Sequence, residues 1–215
     1  MTQHDIAEAL IREQGTLYSE AMGAHIDRNT PQELFHWLIG AMLLSARISG
    51  DLAIEAGAAL RAKDLHKIGV ILDTPRAKRI EVLNKNGYAR YDNITADYLY
   101  DTATLVDEKY KRDLRRLRAE ADGDEKRAVS LLSEAKGIGE TGAHIFLREM
   151  QFVWDEYYPR IDGPAVKAAK SLHLPEDAAR LAKLASSRER FARLVAALTR
   201  ADLEGPAEAV KKAAA

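Results

Sequence analysis

The chain has 215 residues, enough for one substantial core or two small interleaved ones, and its 47% hydrophobic and 30% charged residues are those of a globular protein. Its 32 basic and 33 acidic side chains leave a net charge of −1, which excludes a uniformly basic surface but allows one positive face. With no cysteine it has no disulfide, thiolate zinc site or cysteine-held iron–sulfur cluster; with no bilayer-length apolar run and no leader-like start, it is expected to be a soluble cytoplasmic protein that does not enter the membrane.

Helical periodicity governs the chain almost throughout. Ile6, Leu10 and Ile11 mark a first helix. Asn29-Thr30-Pro31 opens a second, with proline in its first turn and Leu34, Phe35, Leu38, Ile39, Met42 and Leu43 spread over a wide apolar face. That breadth predicts a buried central helix. Ser49-Gly50-Asp51 ends it and starts an alanine-rich helix over 52–60. Asp64 is expected to cap a short helix ending near Gly69, and Thr74-Pro75 to open the next. Asn86-Gly87 predicts a turn before one long helix over about 95–118, interrupted at Asp122-Gly123-Asp124. Two helices over 125–136 and 140–150 follow, then an extended or irregular stretch over 151–161. Helices at 164–173, 176–185 and 188–201 complete the pattern, and the alanine- and lysine-rich tail from Gly205 is expected to fray.

The most informative stretch is LLSEAKGIGETGAHIFL, residues 131–147. Two glycines flanking Ile138 let the chain turn sharply and let its backbone approach another molecule closely. The helix beginning directly after Gly139 presents unpaired amides and a positive dipole end, both favourable to a phosphate. The same tripeptide also serves as a plain helix connector. It is not a dinucleotide-binding fingerprint, because no strand precedes it, and no Gly-Lys-Ser/Thr follows to make a Walker loop. Fifteen residues past Leu147, Asp162 stands in Ile161-Asp162-Gly163-Pro164 at the start of another helix, where it would serve as an N-cap. Lys167 and Lys170 follow within two turns, and the run Lys111-Arg112, Arg115, Arg116 and Arg118 reads first as a solvated helix face.

Two separated segments share one resemblance. Thr30-Pro31-Gln32-Glu33-Leu34-Phe35 through Leu43-Leu44-Ser45-Ala46-Arg47 resembles the entry and central helix of endonuclease III-like DNA glycosylases. The Gly137-Ile138-Gly139 hairpin and Asp162 resemble the helix-hairpin-helix and the essential aspartate of the same superfamily, in the same order. The likeness runs over about residues 5–175, with a hairpin-to-aspartate gap a few residues longer than usual.

The resemblance implies an all-α, two-domain fold with a central cleft. A helical barrel over 32–155 would contain the hairpin (125–150), and residues 1–31 with 156–215 would form the second domain carrying Asp162. It implies a monomer acting on double-stranded DNA with a damaged or mismatched base, nucleoid-associated in a bacterium. Asp162 would stabilise the cationic sugar of a flipped nucleotide and direct the attacking water. Gly137, Ile138, Gly139, Arg47 and Lys167 would contact the DNA, Arg47 filling the gap left by the flipped base. A sodium or potassium ion at the hairpin carbonyls belongs to the same pattern.

Two departures shape the expected chemistry. Relatives with lyase activity carry a lysine where this chain has Thr141, and threonine cannot form an imine. A monofunctional, hydrolytic glycosylase without lyase activity follows. The cysteines that hold the iron–sulfur cluster of many relatives are missing, so no cluster is expected; the resemblance implies no other cofactor and no catalytic metal. A non-catalytic DNA-binding or damage-sensing protein is the alternative, and the excised base is not legible from the sequence.

Overall fold

A computed structural model describes residues 2–215, and all the regular secondary structure among them is helical. The helices are α1 (Gln3–Gln14), α2 (Tyr18–Ala21), α3 (Pro31–Leu44), α4 (Gly50–Ala62), α5 (Ile68–Asp73), α6 (Arg76–Lys85) and α7 (Asp92–Tyr110). They continue as α8 (Arg115–Ala121), α9 (Glu125–Leu132), α10 (Glu140–Met150), α11 (Gly163–Ser171), α12 (Ala178–Ala182), α13 (Arg188–Glu204) and α14 (Glu208–Ala214). Short 3-10 turns occupy Ile26–Arg28 and Asp155–Tyr157. No helix among the described residues is long and apolar enough to cross a membrane.

Polar side chains start several of these helices. Thr2 accepts from the Asp5 amide while Asp5 accepts from the Thr2 amide, a reciprocal capping box on α1. Ser49 caps α4, Asp124 caps α9, Asp177 caps α12 and Ser187 caps α13, each through its own oxygen.

The chain forms two compact units. One is the continuous stretch Tyr18–Phe146, and the other joins the residues up to Leu17 with Leu147–Ala215. In the continuous unit α3 is the core helix. Every residue from Glu33 to Leu43 is buried, and Trp37 Nε1 donates to the Phe146 carbonyl at 3.0 Å. The buried guanidinium of Arg79 on α6 donates to the carbonyls of Ile71, Thr74 and Ala96, so it ties α6 to the end of α5 and to α7. In the second unit, Ile6, Ala7 and Leu10 of α1 meet Ala165 and Ala169 of α11, Phe191, Leu194 and Leu198 of α13, and Val210 of α14.

Three expectations from the sequence need correction. Asp64 does not cap a helix: it adopts a left-handed conformation (φ 58°) closing α4, its amide bonded to the Arg61 carbonyl at 2.9 Å, and α5 begins only at Ile68. The long helix ends at Tyr110 rather than near 118, because Lys111 and Arg112 both turn left-handed (φ 52° and 65°). This conformation is costly for residues other than glycine; bidentate donation from Arg112 to Asp107 accompanies it. The tail does not fray: α14 buries Val210 and Ala213, and Gln14 bonds the Gly205 carbonyl and the Ala207 amide ahead of it.

Candidate functional site

The hairpin lies in the continuous unit, between α9 and α10. Gly137 sits at φ +82°, where a Cβ would come within 2.5 Å of Tyr98 Cδ2 and 3.2 Å of Met42 Cγ. Both the backbone angle and the lack of space therefore require glycine there. Ile138 is buried and its amide donates to the Ala135 carbonyl at 3.0 Å, closing the turn. Gly139 is exposed, a Cβ on it would meet nothing within 4 Å, and its carbonyl accepts from Ala143 to begin α10. The amides of Glu140 and Thr141 precede any helical acceptor and both residues are exposed, so the positive end of α10 is open at the surface. The acid of that first turn, Glu140, lies 3.6 Å from His144 Nε2.

Neighbouring helices fix the hairpin in place. Thr102 Oγ1 donates to the Lys136 carbonyl at 3.3 Å, and Lys136 and Lys109 form ion pairs with Asp101 and Glu134 at 3.0 and 2.7 Å. At the end of α3, Ser45 Oγ donates to the Met42 carbonyl at 2.7 Å and reaches the Gly137 carbonyl at 3.5 Å. Exposed Arg47, two residues on, is thus carried by a loop that touches the hairpin, so two segments distant in sequence meet in one unit. Lys136, the amine nearest the hairpin in sequence, is engaged by Asp101.

Asp162 lies in the other unit, at the N-cap position of α11. Its carbonyl accepts from Val166 at 2.9 Å, but its side chain makes no capping bond. Instead Arg148 Nε donates to Asp162 Oδ2 at 2.7 Å, and Nη2 lies 2.6 Å from the same oxygen in an ion pair. The two side chains are only 10% and 13% exposed, so solvent screens the pair weakly. The other oxygen, Oδ1, is buried without a hydrogen-bond partner among the described residues. Helix capping therefore does not account for this carboxylate. Lys167 and Lys170 are exposed on α11.

Arg148 is the residue that sequence reasoning missed. The signal was present, since Arg148 and Glu149 interrupt the apolar run of α10 and both are buried. Gln151, fully buried one turn further, donates to the Arg160 carbonyl at 3.0 Å and accepts from the Arg160 amide at 2.9 Å. It holds the segment leading to Asp162 as a strand neighbour would.

Elsewhere in the continuous unit, a cavity of about 580 Å³ is lined by Ala59, Lys63, Lys78, Glu81, Lys85 and Asn86 among others, and none of its lining residues belongs to the motifs above. Among the described residues no group of three or more His, Cys, Asp or Glu side chains is arranged to hold a metal ion. In comparisons with family models, curated proteins and solved structures, the chain matches none.

Proposed function

We propose that this protein is a monofunctional DNA glycosylase that hydrolyses the N-glycosidic bond of a damaged or mismatched nucleotide. The observation that carries the reading is the state of Asp162: a largely buried carboxylate with one oxygen tied by arginine, the other without a partner among the described residues, and no capping role for the side chain. Buried polar atoms without a protein partner are uncommon. Support also comes from the hairpin, whose left-handed Gly137 and exposed first-turn amides suit a phosphate, and from Arg47 on the loop touching it.

In this reading the C1′–N bond breaks with its electron pair leaving on the base, which takes a proton from solvent. The Asp162 carboxylate stabilises the positive sugar and accepts a proton from the water whose oxygen bonds to C1′. Backbone amides after Gly137 hold a phosphate of the same strand, Lys167 contacts another, and Arg47 enters the stack where the flipped base left. Thr141 supplies no amine, so strand cleavage does not accompany base release.

The test is a panel of duplexes each carrying one damaged or mismatched base, split with and without hot alkali, beside Asp162→Asn. Strand breaks appearing only after alkali and lost in the variant are expected, and they would name the base. Release from none of the duplexes, with salt-sensitive binding retained, would replace this reading with a non-catalytic damage sensor.

A further inference from the structure

The two oxygens of Asp162 are in different situations, and one residue makes them so. Nε and Nη2 of Arg148 both lie against Oδ2, at 2.7 and 2.6 Å, whereas Oδ1 has no donor among the described residues. A guanidinium fork more often spreads over both oxygens of a carboxylate, one donor to each. Here the fork is spent on one oxygen, which fixes the carboxylate plane and leaves the other oxygen's lone pairs unengaged. The arrangement is held from behind. Arg148 and Gln151 lie three residues apart on α10 and its end; Gln151 binds both backbone groups of Arg160, and Arg148 binds the side chain two residues further on. Gln151 also donates to the Arg148 carbonyl at 2.8 Å, linking the two tethers. On the far side, the backbone of Asp162 is anchored by the first helical bond of α11 and by Pro164 in its first turn.

We propose that Arg148 is a positioning residue that fixes the direction of the Asp162 carboxylate for the reaction at the sugar. The inference rests on the glycosylase reading and adds to it what aims the carboxylate. A neutral residue at 148 frees the carboxylate to rotate and to seek other donors, so it loses its fixed direction while duplex contacts stay as they were.

The experiment measures single-turnover base release and duplex affinity for wild type, Arg148→Ala and Arg148→Lys, with and without added guanidinium chloride at non-denaturing concentration, alongside melting curves. Arg148→Ala is expected to slow release by about 100-fold, the scale set by a misplaced reacting group. Duplex Kd should shift less than about 3-fold, since the lost interaction is not one made to DNA. Guanidinium ion should restore part of the rate. Arg148→Lys, which keeps the charge without the fork, should fall between and serves where the alanine variant does not fold. Wild-type rates in both variants, or slowed release that guanidinium does not rescue and that tracks a loss of folded protein, would overturn the proposal while leaving the glycosylase reading intact. A wild-type protein releasing no base from any duplex overturns that reading, and this inference with it.

Discussion

Gly137 and Gly139 flank the same isoleucine, yet they carry different constraints. At Gly137 an alanine meets both a left-handed backbone angle and the Tyr98 ring, and nothing in the buried packing of Met42 gives it room. Gly137→Ala should cost about 1–3 kcal/mol, measurable as a lower chemical-denaturation midpoint. Gly139→Ala adds a methyl into open space, so it should stay within about 0.5 kcal/mol of wild type. If the exposed backbone at 139 approaches a phosphate, that same variant should nonetheless bind duplex DNA more weakly. Equal affinity in the Gly139 variant would remove the hairpin from the DNA interface. Thr141, exposed in the first turn of α10, allows a complementary gain-of-function test. Thr141→Lys should produce strand cleavage without alkali and a borohydride-trapped adduct if residue 141 stands beside the sugar. A folded variant that binds an abasic site but never traps would place it elsewhere.

At the scale of elements, the reading of α3 and the reading of α14 contrast. Six apolar side chains on a wide face of α3 exceed what one stripe needs, so burial on nearly every side was legible, and the structure buries Glu33 through Leu43. Glu33 shows what such burial demands of a charge. Desolvation pushes its carboxyl up, but donors from Arg61 and the His25 amide more than offset that and hold it below its ordinary value. For α14 the short, lysine-bearing run of alanines carries little amphipathic signal. Its order comes from partners nearly two hundred residues away, where Gln14 of α1 bonds Gly205 and Ala207 and Val210 enters the core formed with α1 and α13. Val210→Ala should therefore destabilise the protein by about 1–2 kcal/mol, where a frayed tail would have tolerated it. Removal of residues 206–215 should expose the same core and lower the melting temperature further.

Across the molecule, the buried histidines set a pH dependence. His36, fully buried on α3, is pushed down from its ordinary 6.5 to about 4, chiefly by loss of solvation, while its bond to the Gly57 carbonyl works weakly the other way. His66, its ring centroid 5.3 Å away, is lowered for the same reason. Unfolded histidine takes up a proton below about 6.5, whereas folded His36 resists until about 4, so within this window the unfolded state binds more protons. Stability is then complete above pH 6.5 and falls as pH drops towards 4, by up to about 3 kcal/mol for a group shifted this far. Denaturation midpoints between pH 7 and 4 check this. His36→Gln, which retains a donor for Gly57, should flatten the slope, and an unchanged slope would assign the effect to the carboxylates instead.

The amino-acid sequence alone determined that the protein is helical and where most helices start, because caps, prolines and apolar spacing act within a few residues of one another. It also marked Gly137-Ile138-Gly139 and Asp162, since a forced backbone conformation and a carboxylate at a helix start are local features. It offered Arg148 as a break in the apolar run of α10, but could not reveal its partner 14 residues on, or that the hairpin touches the loop of Arg47 through Ser45. Nor could it foresee the break at Lys111-Arg112, where left-handed angles at two basic residues follow no local preference. Those features depend on which side chains lose water together and which donors remain to satisfy them, and only the tertiary structure decides that.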